Sequence, residues 1–258
     1  MHDRIEKLKN IISQLVTNSS EPIVAISGGI DSTTLSTFIS KEANKRLDVA
    51  HAISPAVPIE ATKRVKILAK KYNWKLHILS AGEMKDKKYT SNPINRCFYC
   101  KTNLYSSISS KLNGQILSGA NLDDLKDFRP GLKAAENSFV RHPFIESQIG
   151  KKEIRVLANQ LGLEEISELP ASPCLSSRIQ TGINITSDLL KKIDKVERKI
   201  KNVIPDADVR CRWLNKGIAI EFNKPSLEQI NDNYKTQIIN FTEEIFKISR
   251  NLITMKKY

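Results

Sequence analysis

Ser27-Gly28-Gly29-Ile30-Asp31-Ser32 follows the apolar run Ile23-Val24-Ala25-Ile26 and precedes Leu35, Phe38 and Ile39 at helical spacing. The order apolar strand, glycine-rich turn, helix decides the fold, because it opens a βα unit. It places two glycines where the backbone must come close to a ligand. The amides that follow lie at a helix N-terminus, where unpaired N–H groups and the helix dipole favour an anion. Ser27, Ser32 and Thr33 add hydroxyl donors. Asp31 is an acid inside a phosphate-binding turn, which makes chemical sense if it holds Mg²⁺ against that phosphate. The lysine and longer loop of a Walker A sequence are missing.

Outward from this loop the pattern repeats. Ile5, Leu8, Ile11, Ile12 and Leu15 predict a leading helix over 3–16. After the loop and its helix come a strand at 48–53, an amphipathic helix at 59–72 and a strand at 75–79, Leu76-His77-Ile78-Leu79. A helix follows Cys97, a strand covers 115–120, a loop 121–130 and a helix 150–161. Repeated βα units with apolar strands predict an α/β fold with a doubly wound parallel sheet. Ligands of such sheets sit at the carboxyl ends of the strands, so the loops after 26, 53, 79 and 120 should share one pocket. Pro170-Ala171-Ser172-Pro173-Cys174 reads as a boundary between domains 1–170 and 171–258. The second is a small C-terminal α+β domain: a helix at 186–202, strands near 207–213 and 217–222, and helices after 226. It falls near the ~80 residues below which a domain is uncomfortable alone, so it should dock on the first.

At 258 residues with 40% hydrophobic and 27% charged residues, the composition is that of a globular protein. No apolar run nears the roughly 20 residues of a membrane span. Met1-His2-Asp3-Arg4-Ile5-Glu6-Lys7 reads as an amphipathic helix and not as an export signal, so a cytoplasmic location with no membrane partner is expected. A formal net charge of +13 attracts polyanions. Stretches such as Lys63-Arg64-Val65-Lys66 serve equally as solvated helix faces or as a nucleic-acid footprint. Four cysteines without an export signal point to a metal site or sulfur chemistry, not to a disulfide scaffold.

The loop resembles the SGGxDS PP-loop of the ATP pyrophosphatases, of adenine nucleotide alpha-hydrolase-like fold, which cleave ATP to AMP and pyrophosphate while adenylating a substrate. Further matches follow in order: Asn92-Pro93, Arg96-Cys97, Cys100-Lys101, Gly119-Ala120-Asn121, Asp123-Asp124-Leu125 and Arg129-Pro130-Gly131-Leu132. Pro170-Ala171, Cys174-Leu175, Ser177-Arg178-Ile179 and Arg210-Cys211-Arg212 complete the set. Together with the loop, this set closely resembles the LarE-type sulfur transferases over roughly residues 5–240. The resemblance implies ATP-dependent sulfur insertion into pyridinium-3,5-biscarboxylic acid mononucleotide, giving a thiocarboxylate in nickel-pincer nucleotide biosynthesis. It implies Ser27, Gly28, Gly29, Asp31 and Ser32 as ligands of ATP and Mg²⁺, and a homo-oligomer built on the smaller domain.

One version of this family sacrifices the sulfur of a single cysteine, at the position matching Cys174; the other holds a 4Fe–4S cluster on three. Cys97, Cys100 and Cys174 make this chain resemble the cluster version. A C-x-x-C turn aims two thiolates at one centre, and three protein thiolates leave one iron open for inorganic sulfide. Zinc is the rival, since it would take a fourth ligand for closure, and Cys211 could supply one. Cys211 reads otherwise as a structural residue between two arginines.

Ser54, at the end of the second strand, would meet adenine or ribose by position alone. Asp123 and Asp124 could contact Mg²⁺ or the nucleotide, or simply cap a helix. Arg178, Arg210 and Arg212 are expected to bind the anionic substrate through guanidinium forks; 210 and 212 share one strand face. Glu197 and Glu221 resemble acids near the family's phosphate site. His51, His77 and His142 lack partner spacing, and Trp74 reads as core. Two other functions fit parts of the chain: a tRNA thiolase, favoured by the charge but without a separate RNA-binding domain, and a non-catalytic adenine-nucleotide sensor.

Overall fold

The computed structural model describes residues 1–17, 21–43, 45–170, 173–205 and 207–258. Ala171 and Ser172 of the expected boundary lie outside the described residues. The chain forms two compact units, Met1–Tyr89 with Asn95–Ser172, and Thr90–Ile94 with Pro173–Tyr258.

In the first unit the order is α1 (His2–Thr17), β1 (Pro22–Ala25), α2 (Ile30–Ala43), β2 (Asp48–Ala52), α3 (Ile59–Lys71) and β3 (Lys75–Leu79). A short α4 (Lys87–Thr90) runs to the unit boundary, and α5 (Arg96–Ser109) and β4 (Gln115–Leu117) follow. Then come α6 (Pro130–Asn137), α7 (Pro143–Glu146), α8 (Lys151–Gln160) and α9 (Glu164–Ser167). The four strands are all parallel in the order β3-β2-β1-β4. Successive residues of a strand face opposite sides, and here both sides are apolar. Val24, Val49 and Leu117 join α1, α2, α3 and α8 through Leu8, Ile12, Leu35, Ile39, Leu68 and Leu157. Ile23, Ala50 and Ile116 join α5 and α6 through Tyr105, Ile108 and Ala135. Helices on both faces explain why the strands read as unbroken apolar runs. Trp74 is in the core, its Nε1 donating to Ser40 Oγ at 2.7 Å.

The second unit holds α10 (Ser187–Val203), β5 (Val209–Leu214), β6 (Gly217–Phe222), α11 (Lys224–Glu228), α12 (Asp232–Phe246) and β7 (Ile253–Lys257). β5 pairs antiparallel with β6, and β7 pairs parallel on the other side of β6. The sequence predicts only helices after 226, so β7 is a difference: Ile253 to Lys257 become a strand because the edge of β6 offers a full row of partners. Residues 90–94 also belong here rather than with their sequence neighbours. Asn92, buried at φ +55°, donates through Nδ2 to the carbonyls of Ile179, Gln180 and Ile183. No helix among the described residues is long and apolar enough to cross a membrane.

Candidate functional site

β1 continues its pairing one residue beyond its end, the Ile26 amide donating to the Ala50 carbonyl at 2.9 Å. The chain then turns through Gly28 at φ +81°, a left-handed conformation that side chains resist. A methyl there would lie 2.8 Å from the Ala61 carbonyl oxygen of α3. The Ser27 amide donates to Ser32 Oγ at 3.1 Å, and the Gly29 amide to Ser27 Oγ at 3.3 Å. The loop is therefore tied to the first turn of α2, a helix N-terminus of the kind that suits an anion.

Two residues brace the loop from outside. Arg64 of α3 donates through Nη1 to the Gly28 carbonyl at 2.7 Å. His51 of β2 places Nδ1 2.9 Å from the Ile26 carbonyl and Nε2 2.9 Å from Thr62 Oγ1. A carbonyl only accepts, so Nδ1 carries the proton and the Thr62 hydroxyl donates to Nε2. Burial pushes the His51 pKa down, which favours the neutral ring. Gly119, just after β4, lets that strand end approach the loop: a methyl on it would sit 2.6 Å from the Ser32 amide nitrogen.

Asp31 points both carboxylate oxygens at Lys151 Nζ, 2.7 Å from each. Burial pushes the Asp31 pKa up; Lys151 opposes this, and the negative charge of Asp124 adds to it. Asp123 and Asp124 show the capping chemistry that the sequence left open. Asp124 Oδ2 accepts from the Asn121 amide at 3.0 Å, and its Oδ1 lies 3.0 Å from Arg129 Nη2. Asp123 Oδ2 accepts from the Lys151 amide at 2.7 Å, capping α8, and that bond holds its carboxyl below the usual range. Ser54 Oγ accepts from the Ala56 amide at 3.1 Å, a local turn beside Ile53, whose side chain is exposed. Ser27, Gly28, Gly29, Asp31 and Ser32 thus lie together in one turn, with Asp124 close enough to act on the charge of Asp31. Lys151, Arg64 and His51 are neighbours of that turn that the sequence does not reveal.

All four cysteines are thiols. Cys97 and Cys100 lie three apart in the first turns of α5, on one helix face. Cys174 opens the 3-10 turn Leu175–Arg178 in the second unit. Among the described residues, no three His, Cys, Asp or Glu side chains are grouped as metal ligands. Cys211 is fully buried in β5 and burial raises its thiol well above the ordinary range, which marks an inert cysteine.

In the second unit, Arg210 lies over the Tyr258 ring, 4.0 Å from its centroid. The Tyr258 hydroxyl donates to Asp208, and burial with that bond pushes its pKa up to about 12. Arg212 pairs through Nε with Glu221, the residue opposite Arg210 in the β5–β6 register. Lys256 Nζ stands 3.6 Å from Glu221. Arg178 differs from these two, being 4% exposed and forked onto Glu197. His77 pairs with Asp48, and Ser118 Oγ lies 2.7 Å from His142 Nδ1, so neither histidine stands alone.

A four-stranded parallel sheet whose first strand leads through a glycine turn into a helix defines the class: an α/β protein of Rossmann-like or PP-loop type. No family model matches the chain. It is 32% identical over 248 residues to the uncharacterised protein MJ0830 of Methanocaldococcus jannaschii, covering 95% of this chain and 90% of that one. The uncharacterised protein slr1717 of Synechocystis is 31% identical over 201 residues, 76% of this chain and 73% of that one. The pyridinium-3,5-bisthiocarboxylic acid mononucleotide synthase of Lactiplantibacillus plantarum is 28% identical over 203 residues, 77% and 73% of the two chains. The chain belongs to the family of these proteins, a LarE-like family.

Proposed function

We propose that this chain is an ATP-dependent sulfur transferase that converts a carboxylate of pyridinium-3,5-biscarboxylic acid mononucleotide to a thiocarboxylate, in nickel-pincer nucleotide biosynthesis. The observation that carries the reading is the braced 27–32 loop with Asp31 at its helix end, in a chain similar to a synthase of that name. A PP-loop suits this chemistry because displacing oxide from a carboxylate is not feasible. The carboxylate oxygen attacks the α-phosphorus of ATP and pyrophosphate leaves. A sulfur nucleophile then attacks the acyl carbon of the acyl-adenylate, and the C–O bond breaks with AMP as the leaving group.

The loop amides and the Ser27 and Ser32 hydroxyls bind the departing pyrophosphate, where preorganised donors stabilise developing charge. Asp31 offers a half-buried carboxylate at the helix end of the loop, and a Mg²⁺ bound there in place of the Lys151 ammonium would offset phosphate charge. Arg210 and Arg212 anchor the mononucleotide's anionic groups. Cys97 and Cys100, on one face of a helix, fit two positions of a single metal centre; Cys174 as third ligand of the proposed 4Fe–4S cluster rests on the family resemblance alone. Such a cluster would supply an iron position open to inorganic sulfide.

The test is incubation with ATP, Mg²⁺, sulfide and the dicarboxylate mononucleotide under anaerobic conditions. Release of pyrophosphate together with thiocarboxylate, seen by mass spectrometry, is the expected result. Pyrophosphate release only with tRNA, with salt-sensitive tRNA binding, would favour a tRNA thiolase, to which the charge of +13 also points. Multiple turnovers by Cys97→Ala and Cys100→Ala would remove the cluster from the proposal.

A further inference from the structure

The sequence points to three arginines as substrate ligands, yet Arg178 is placed unlike the other two. Its side chain is 5% exposed, against 28% for Arg212. A guanidinium has five N–H donors, and here the directed ones are spent. Nε donates to Glu197 Oε1 at 2.8 Å and Nη2 to Glu197 Oε2 at 3.4 Å. Nη1 donates to Ser177 Oγ at 3.1 Å and to the Pro173 carbonyl at 3.4 Å. Little guanidinium edge is left for a phosphate or carboxylate.

The bonds lead somewhere definite. Ser177 accepts from Arg178 and donates its one hydroxyl proton to the Cys174 carbonyl at 2.8 Å, and its amide donates to the same oxygen at 3.0 Å. Glu197 is fixed in turn by α10 and by the Cys211 amide, which donates to Oε1 at 2.9 Å. A continuous run therefore passes from a buried carboxylate on α10, through Arg178 and Ser177, to the backbone of Cys174. Both flanks of that cysteine, Pro173 and Ser177, are gripped by one guanidinium. A buried ion pair adds little net stability over an apolar pair of like volume, but it imposes geometry.

We propose that Arg178 is a positioning residue for Cys174, anchored on Glu197 and holding the 173–177 turn, and not a substrate ligand. The proposal deepens the sulfur-transferase reading and rests on it for its kinetic arm alone. Arg178→Lys keeps the charge but loses the fork; Ser177→Ala removes the hydroxyl link and leaves the ion pair intact. Iodoacetamide labelling resolved by peptide mass spectrometry reports the turn directly, with buried Cys211 as the control for unfolding. Losing one such hydrogen bond should speed Cys174 labelling roughly fivefold in Ser177→Ala. Arg178→Lys should do at least as much, with Cys211 unlabelled in both.

In turnover, Arg178→Lys should lower kcat while the KM for the mononucleotide stays put, since positioning acts on the chemical step. A raised KM with kcat retained would make Arg178 a substrate ligand and overturn the proposal. Unchanged Cys174 labelling in both variants would overturn it too. If Arg178→Lys does not fold, Ser177→Ala decides alone. If the wild type forms no thiocarboxylate, the functional reading fails and the labelling arm still tests the brace.

Discussion

Gly28→Ala isolates what the loop contributes. At φ +81° an alanine pays the left-handed penalty of about 1–2 kcal/mol. Its methyl would also stand 2.8 Å from the Ala61 carbonyl and 3.1 Å from Val65 Cγ2, so α3 or the loop must move by several tenths of an ångström. Overpacking of this kind costs about 1–3 kcal/mol, giving a combined loss of about 3 kcal/mol. For a chain of this size that lowers Tm by roughly 6–12 °C. The movement also shifts the Gly28 carbonyl off Arg64 and turns the following amides away from their common focus. Binding of Mg²⁺–pyrophosphate, measured by titration calorimetry, should fall by at least roughly tenfold, as loss of one or two charge-assisted bonds requires. Gly29→Ala is the stability control: its methyl would meet only Ser27 Oγ, at 3.5 Å, and its φ is not left-handed. Its Tm should stay near the wild type. A Gly28→Ala protein that melts with the wild type and binds pyrophosphate equally would refute the idea that this turn shapes the anion site.

Lys151→Met should cost under about 1 kcal/mol of stability, because its pair with Asp31 is about one third exposed on each side. The carboxylate would lose the charge that opposes its burial and take up a proton more readily, so Mg²⁺–ATP binding should weaken more between pH 8 and pH 6 than in the wild type; calorimetry at the two pH values checks this. Burial lowers the pKa of His51 and of His142 below the ordinary 6.5. The unfolded chain then binds protons first as pH falls, so stability is full above pH 6.5 and declines below it, by up to about 1.4 kcal/mol per pH unit for each ring. Urea melts across pH 5–8 should show this fall, and His51→Gln should remove His51's share of the slope.

What was legible in the sequence lies within short spans. Strand, turn and helix fall inside residues 22–43, and their cues are local: an apolar run, paired glycines, helical spacing. The parallel sheet followed from runs such as Ile23-Val24 and Ile116-Leu117, whose neighbours face opposite cores. What stayed hidden depends on partners far along the chain. Lys63-Arg64-Val65-Lys66 reads as one basic helix face, yet Arg64 turns onto the Gly28 carbonyl, 36 residues away. Lys151 reaches Asp31 across 120 residues, and nothing in composition separates it from the rest of the 41 Lys and Arg residues. Asn92 takes residues 90–94 into the second unit through bonds to residues 87 to 91 positions later.

Arg178 shows the same division at a finer scale. Its motif was legible, Ser177-Arg178-Ile179 after Cys174, and its guanidinium reads from sequence as a substrate anchor. Whether that guanidinium faces a ligand or the protein depends on Glu197, which arrives on α10 nineteen residues later and closes over it. A motif therefore specifies which functional group is present, while the burial supplied by a distant helix decides what that group can touch. For Arg178 the two point in different directions, and a guanidinium with both flanks of Cys174 in its grip is better placed to aim a sulfur than to hold a phosphate.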